Sequence, residues 1–250
     1  MDFVNPSYYL YFLPLVFVLT IGLASKRKRT QILILLTLSY IFFWLASGWH
    51  LILLIVSTCI DWTAGKKMHQ SKLKTVRKNW LKLSLITNLT ILGIFKYLDF
   101  IIESLNLVTL QINGSQGIDA IGLALPVGIS FYTFQTMSYT IDIYRKKQSP
   151  YDSFTDFACY AAFFPQLVAG PLVRADHFRK QIQSPLKTDP YRFRLGLTLI
   201  IYGIAKKLVI ADNVALHANA VFIEGDHLMN IGLIWWGALC FGVQIYCDFS

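Results

Sequence analysis

Apolar runs long enough to cross a membrane recur along this chain, and lysine–arginine clusters separate several of them. A stretch of roughly 20 mainly apolar residues spans the hydrocarbon as a helix. In lipid the backbone must satisfy its own hydrogen bonds, which such runs do as helices. The runs are Tyr8 to Ala24, Gln31 to Ala46, Leu51 to Trp62, Leu81 to Ile102, Ile118 to Ile143, Phe154 to Val173, Leu195 to Phe222 and Met229 to Phe249. They predict an all-α, polytopic membrane protein with six to eight crossings, organised as a single membrane-embedded domain over residues 1–250. Charged residues make up only 15% of the chain, against roughly 25% in a soluble domain. The last run reaches Ser250 with no polar flank, so the domain is expected to be truncated on its C-terminal side.

The charges also set an orientation. Cytoplasmic loops collect Lys and Arg. Lys26 to Arg29 form one such loop, Lys66, Lys67, Lys72, Lys74, Arg77, Lys78 and Lys82 a second, and Arg145 to Lys147 a third. Between Glu103 and Asp119 there is neither Lys nor Arg, so that loop is expected outside, as is the N-terminus. Met1 to Pro6 carries no basic residue and the first cluster follows the apolar run, the reverse of a cleavable secretory signal. Topology thus accounts for the net charge of +9. A nucleic-acid partner would need a basic face on a soluble module, which this pattern lacks.

One segment breaks the alternation. Phe154 to Val173 should lead outward, yet Arg174, Arg179, Lys180, Lys187, Arg192 and Arg194 follow it. Pro165 and Gly170-Pro171 interrupt it, and an interior proline removes a helix hydrogen bond. Broken backbone at membrane depth persists only where protein or a water-filled cavity satisfies it. The segment therefore reads as re-entrant from the cytoplasm, the first hint of a site.

Ionisable residues inside the spans are few. Lys96 with Asp99, and Asp142 with Arg145, have the i, i+3 spacing of local ion pairs. Lys206 and Lys207 interrupt an apolar helix, either snorkelling to the cytoplasmic surface or lining a polar approach. Asp248 lies deep in the last run near Tyr246 and Gln244, with no basic partner close in sequence, and reads as a cavity wall. His50, His69, His177, His217 and His227 form no H-E-x-x-H, H-x-x-x-D or metal-spaced pair, so structural or interfacial roles are expected, with His217 the most embedded. Cys59, Cys159, Cys240 and Cys247 lie in apolar runs without a C-x-x-C pair and read as small hydrophobes. No phosphate-binding glycine loop or nucleophile elbow is present, so these residues assemble no complete catalytic constellation.

Three stretches, in order, carry a family resemblance. They are Leu125-Pro126-Val127-Gly128-Ile129-Ser130-Phe131-Tyr132-Thr133-Phe134-Gln135 continuing to Tyr139–Arg145, then Phe163-Phe164-Pro165-Gln166-Leu167-Val168-Ala169-Gly170-Pro171-Leu172-Val173-Arg174, and finally Gly203–Asn213 with Gln244-Ile245-Tyr246-Cys247-Asp248-Phe249-Ser250. Together they resemble the membrane-bound O-acyltransferase (MBOAT) family in its alginate O-acetyltransferase (AlgI-like) branch, with the D-alanyl-lipoteichoic-acid transferase branch a near relative. Cys247 departs from the branch, which more often has an aromatic or apolar residue there.

The resemblance implies a ring of transmembrane and re-entrant helices around a tunnel. An acyl group, most simply acetyl, is passed from a cytoplasmic thioester such as acetyl-CoA or an acyl carrier to hydroxyls of an exported polysaccharide such as alginate. The setting implied is the plasma (inner) membrane, with membrane lipid and a periplasmic or surface acetyl-transfer protein as partners, and with no metal and no bound cofactor. The family's catalytic histidine is expected downstream of Ser250, so this stretch alone is expected to be inactive. Gln135, Gln166, Gly170, Pro171, Arg174, Tyr246 and Asp248 match motif positions and are the candidate tunnel-lining residues. Arg174, helped by Lys206 and Lys207, would attract an anionic donor, or the three are topology signals only. A transporter or flippase and a catalytically dead scaffold are the alternatives; no internal repeat supports the transporter.

Overall fold

A computed structural model describes residues 7–23, 27–113, 119, 121–167, 170, 172–183, 189–223 and 230–249. Of the positions singled out above, Met1 to Pro6, Ala24 to Lys26, Ile118, Val168, Ala169, Pro171, Lys187, His227, Met229 and Ser250 lie outside the described residues. Every described element is helical, as the apolar runs require. The chain forms two compact units, residues 1–186 and 187–250.

The first unit begins with α1 (Leu13–Phe17) between wider π-type segments at Tyr8–Phe12 and Val18–Leu23. Helix α2 (Lys28–Ser47) ends at Gly48, which at φ 57° and ψ −130° adopts a backbone open essentially to glycine. A single 3-10 turn (Gly48–His50) leads into α3 (Leu51–Gln70). Along α3 the buried residues Leu54, Ser57, Asp61, Ala64, Gly65 and Met68 recur at three- and four-residue steps, marking one packing face. Gly65 lets that face approach α5 closely: a Cβ there would stand 2.9 Å from Ile143 Cδ1 and 3.0 Å from the Tyr139 hydroxyl. Close approach through small residues is how helices pack in lipid, where no hydrophobic drive separates helix from tail. Helix α4 (Lys74–Asn113) has 40 residues, about 60 Å at 1.5 Å per residue, so it outruns the hydrocarbon and carries its basic start beyond it.

Among the described residues three helical stretches, Lys28–Gln70, Lys74–Thr109 and Ile231–Phe249, are long and apolar enough to cross a membrane; Tyr8–Gly22 is a shorter apolar helix. The run expected to be helical from Ile118 becomes so only at α5 (Ile129–Tyr144). Pro126 has no N–H and disfavours helix in the residue before it, and Gly128 at φ 71° starts the helix anew.

The interrupted segment is broken as expected. Helix α6 (Phe154–Ala162), buried over Phe157 to Ala162, stops at Phe163, whose ψ of 106° leaves the helical region. A single turn, α7 (Phe164–Leu167), follows. Helix α8 (Ala175–Ile182) is amphipathic, burying Ala175, Phe178 and Ile182. The core below these breaks is aromatic: Tyr8, Phe12, Phe42 and Phe164 meet with ring centroids 5.2 to 6.2 Å apart.

In the second unit Asp189 caps α9 (Pro190–Ala205), accepting from the Tyr191 amide, with Pro190 at the first turn where its missing N–H is harmless. A π-type segment, Lys206–Ala211, joins α9 to α10 (Asp212–Phe222). Helix α11 (Ile231–Phe249) runs antiparallel to α10, and at Gly237 a Cβ would come within 2.7 Å of Val221 Cγ1.

Candidate functional site

A helix that stops inside a protein leaves its last carbonyls without partners, and the break after α6 shows how this chain meets that demand. The Tyr160 carbonyl accepts from Gln135 Nε2 of α5 at 2.9 Å and from Gln166 Nε2 of α7 at 2.9 Å. On the far side of the break the Phe164 amide donates to Ser39 Oγ of α2 at 3.3 Å. The Tyr160 hydroxyl donates to the Val173 carbonyl at 3.0 Å, tying the strand of chain after the break back to α6. Gln135 and Gln166, 31 positions apart in sequence, are thus brought together on one backbone oxygen, and both are buried.

Gly170 lies at the same junction. Its amide donates to the Gln166 carbonyl at 3.1 Å, and a Cβ there would sit 2.4 Å from Gln166 Cα, so only glycine fits. Arg174 is exposed and stands at the N-cap of α8 with its carbonyl accepting from Phe178. On α8, hydrogen bonding from Lys180, 2.9 Å away, holds the exposed Asp176 carboxyl below its ordinary range.

The other two candidates belong to the second unit. Asp248 has no basic partner close in sequence, but in the fold Lys207 Nζ lies 2.9 Å from its Oδ1 and 2.9 Å from Asp212 Oδ1. The partner is 41 positions away, supplied by the π-type segment before α10 rather than by any neighbour in sequence. Tyr246 is exposed, with Lys206 Nζ 5.9 Å from its ring and 4.5 Å from that of Tyr202. The described residues thus fall into two sets: Gln135, Gln166, Gly170 and Arg174 in the first unit, Tyr246 and Asp248 in the second.

The other polar residues expected to matter are placed differently. Asp99 accepts from the Ile121 and Leu123 amides at 3.0 and 3.1 Å rather than pairing with Lys96, whose ammonium lies 5.4 Å from the Tyr97 ring. No ion pair joins Asp142 to Arg145 among the described residues. His217 is exposed on α10, its ring 6.3 Å from that of Trp236. His50 is buried, stacked on Trp49, and its Nδ1 lies 2.6 Å from the Ser47 carbonyl. Cys159, Cys240 and Cys247 are buried free thiols and Cys59 is exposed. No group of three potential metal-ligating side chains occurs among the described residues.

Sequence reading passed over Asp61 altogether. It is fully buried, and both its oxygens accept from Asn88 Nδ2, at 2.9 and 3.0 Å. Ser84 Oγ donates to Oδ1 at 2.6 Å, and Ser57 Oγ donates to Asn88 Oδ1 at 2.5 Å. Asp61 closes the apolar run of α3, where a lone carboxylate reads as an interfacial residue; Ser57, four residues before it on the same face, was the available signal.

Comparison with known proteins gives a consistent set of relatives. The chain is 35% identical to the probable alginate O-acetylase AlgI of Pseudomonas aeruginosa over 96% of its own length and 45% of that protein. With the protein of the same name from Azotobacter vinelandii it shares 35% identity, covering 96% of the chain and 47% of the relative. The peptidoglycan O-acetyltransferase of Helicobacter pylori is 31% identical over 99% of the chain and 51% of the relative. The chain therefore spans about half the length of the curated relatives it matches. No protein-family model and no solved structure matches it.

Proposed function

We propose, from the premise that this chain is a homologue of the AlgI-type O-acetylases over nearly its whole length, that the protein carrying it transfers acetyl groups to the hydroxyls of a polysaccharide outside the membrane. The observation that carries the reading is the sustained identity to O-acetylating proteins of two names, whose named acceptors, alginate and peptidoglycan, both offer sugar hydroxyls. The acyl carbon loses its bond to the thioester sulfur of a donor such as acetyl-CoA or an acyl carrier and gains one to the acceptor oxygen. The hydroxyl proton passes to a general base, and histidine suits that task because its pKa lies near neutrality. By the family resemblance, that base is proposed to be a histidine outside these 250 residues.

The residues of this chain then act as scaffold. The glutamine-capped break holds a re-entrant segment at membrane depth without orphaned backbone. Gln135, Gln166, Gly170, Pro171 and Arg174 in the first unit, and Tyr246 and Asp248 in the second, are proposed as tunnel-lining residues. The protein resides in the plasma (inner) membrane with the Lys- and Arg-rich loops cytoplasmic and the N-terminus outside. A periplasmic or surface transfer protein is its proposed partner.

The reading is tested by expressing the full-length protein in a bacterium that secretes alginate but lacks its own O-acetylase, then measuring alkali-released acetate in the polymer. Restored ester acetate supports it. Normal polymer secretion without acetate, with the protein present in the membrane, rejects it for that acceptor; the same assay on peptidoglycan decides the other.

A further inference from the structure

Helix α5 ends in a Schellman motif. The Lys146 amide donates to the Ile143 carbonyl at 3.0 Å and the Lys147 amide to the Asp142 carbonyl at 2.9 Å. The residue at the left-handed position of such an end is usually glycine, because a Cβ is strained there. Here it is Lys146, at φ 59° and the one non-glycine residue with positive φ among those described. A strained residue kept where glycine would serve points to a use for its side chain.

That side chain lines a cavity of about 480 Å³ between the end of α5 and the α3–α4 turn. Lys72, Arg77, Lys147 and His69 line the same cavity, Met68 and Ile143 form its apolar part, and no lining residue is acidic. None of the four Lys and Arg residues makes an ion pair with a carboxylate among the described residues. Arg77 is anchored: its Nη2 donates to the Ile143 and Tyr144 carbonyls and its guanidinium lies 5.4 Å from the Tyr144 ring. Its Nε is buried with no partner. The pocket is therefore an anchored guanidinium with the ammonium groups of Lys72, Lys146 and Lys147 around it and the hydroxyls of Ser71 and Ser149 beside them. Such a site recognises a compact anion with several acceptor oxygens, and phosphate is the match.

Position narrows the source. The cavity lies where two apolar helical stretches end and begin, Lys28–Gln70 and Lys74–Thr109, the level of lipid headgroups. Basic pockets between membrane helices on the face rich in Lys and Arg hold anionic headgroups. We propose that this pocket binds a phosphate group, supplied by the headgroup of an anionic phospholipid.

The test uses the full-length protein in nanodiscs of phosphatidylcholine, into which phosphatidylglycerol is titrated, with lipids retained after detergent extraction counted by native mass spectrometry. Wild type is expected to retain phosphatidylglycerol at least tenfold more readily than phosphatidylcholine, and the exposed-surface variant K72Q/K147Q to lose that preference. K146G supplies a second variant. It removes one charge while relieving the left-handed strain, so it should weaken retention severalfold yet raise the unfolding temperature. Equal retention by wild type and both variants would overturn the proposal. Inorganic pyrophosphate in phosphatidylcholine discs is the control for a soluble source: if it protects the wild type alone from unfolding while phosphatidylglycerol is not selected, the phosphate site stands and the lipid is rejected.

Discussion

Asp61 brings a carboxylate into the packing face of α3, and neutral groups are what meet it: Ser84 and the amide of Asn88, the latter positioned in turn by Ser57. Burying such a group is unfavourable unless its oxygens are satisfied, and removing it strands the donors that served it. Asp61→Ala is therefore expected to destabilise the full-length protein by about 1–3 kcal/mol for the donors left without an acceptor. Asp61→Asn keeps one acceptor oxygen and should lose less. Thermal unfolding in detergent micelles separates them; equal melting of wild type and Asp61→Ala would show that the network contributes nothing. This residue was barely legible in the sequence for a physical reason. Its partners lie 23 and 27 positions away on α4, and locally only Ser57 on the same face marked this mid-helix carboxylate as buried rather than solvated. The cation that meets Asp248 was hidden for the same reason, arriving from 41 positions upstream. Gly170, by contrast, was legible as a break beside Pro171, because glycine and proline impose their conformations on the backbone without help from distant chain.

At the scale of elements, the break between α6 and α7 is the feature on which the candidate site turns. Two glutamine amides serve one carbonyl, so either alone keeps it satisfied while the loss of both leaves it buried and orphaned. Gln135→Met and Gln166→Met, near-isosteric and apolar, should each cost about 0.5–1.5 kcal/mol as the loss of a single hydrogen bond. The double variant should cost more than their sum, by an interaction energy of about 1 kcal/mol or above. A double-mutant cycle on unfolding free energy measures it, and strict additivity would mean that the two amides do not share the role of cap. The existence and broad limits of the helices were readable from apolar length, and the break from Pro165. The late start of α5 was not, because the apolar character of residues 118–128 concealed the local authority of Pro126 and Gly128.

Over the whole molecule, the proposed orientation rests on charge asymmetry, and it can be tested without knowing the substrate. Lys66, Lys67, Lys72, Lys74, Arg77, Lys78 and Lys82 flank the α3–α4 turn, and Arg145 to Lys147 follow α5. Positive charge resists translocation whether or not it has a further use, so a phosphate-binding pocket and a topology signal are compatible roles for the same lysines. Lys72 and Arg77 of the first cluster and Lys146 and Lys147 of the second line one cavity, so these four lie on one face of the first unit, as a topology with both loops cytoplasmic would require. The loop between Glu103 and Asp119 should then lie on the other side. In a full-length protein with Cys59, Cys159, Cys240 and Cys247 and any further cysteines replaced by serine or alanine, Asp119→Cys is expected to react with a membrane-impermeant maleimide in intact spheroplasts. Ser149→Cys, beside the lysine cluster, should react only after the membrane is opened. Labelling of Ser149→Cys in sealed spheroplasts would invert the topology, and with it both the proposed donor side of the tunnel and the leaflet assigned to the anionic lipid.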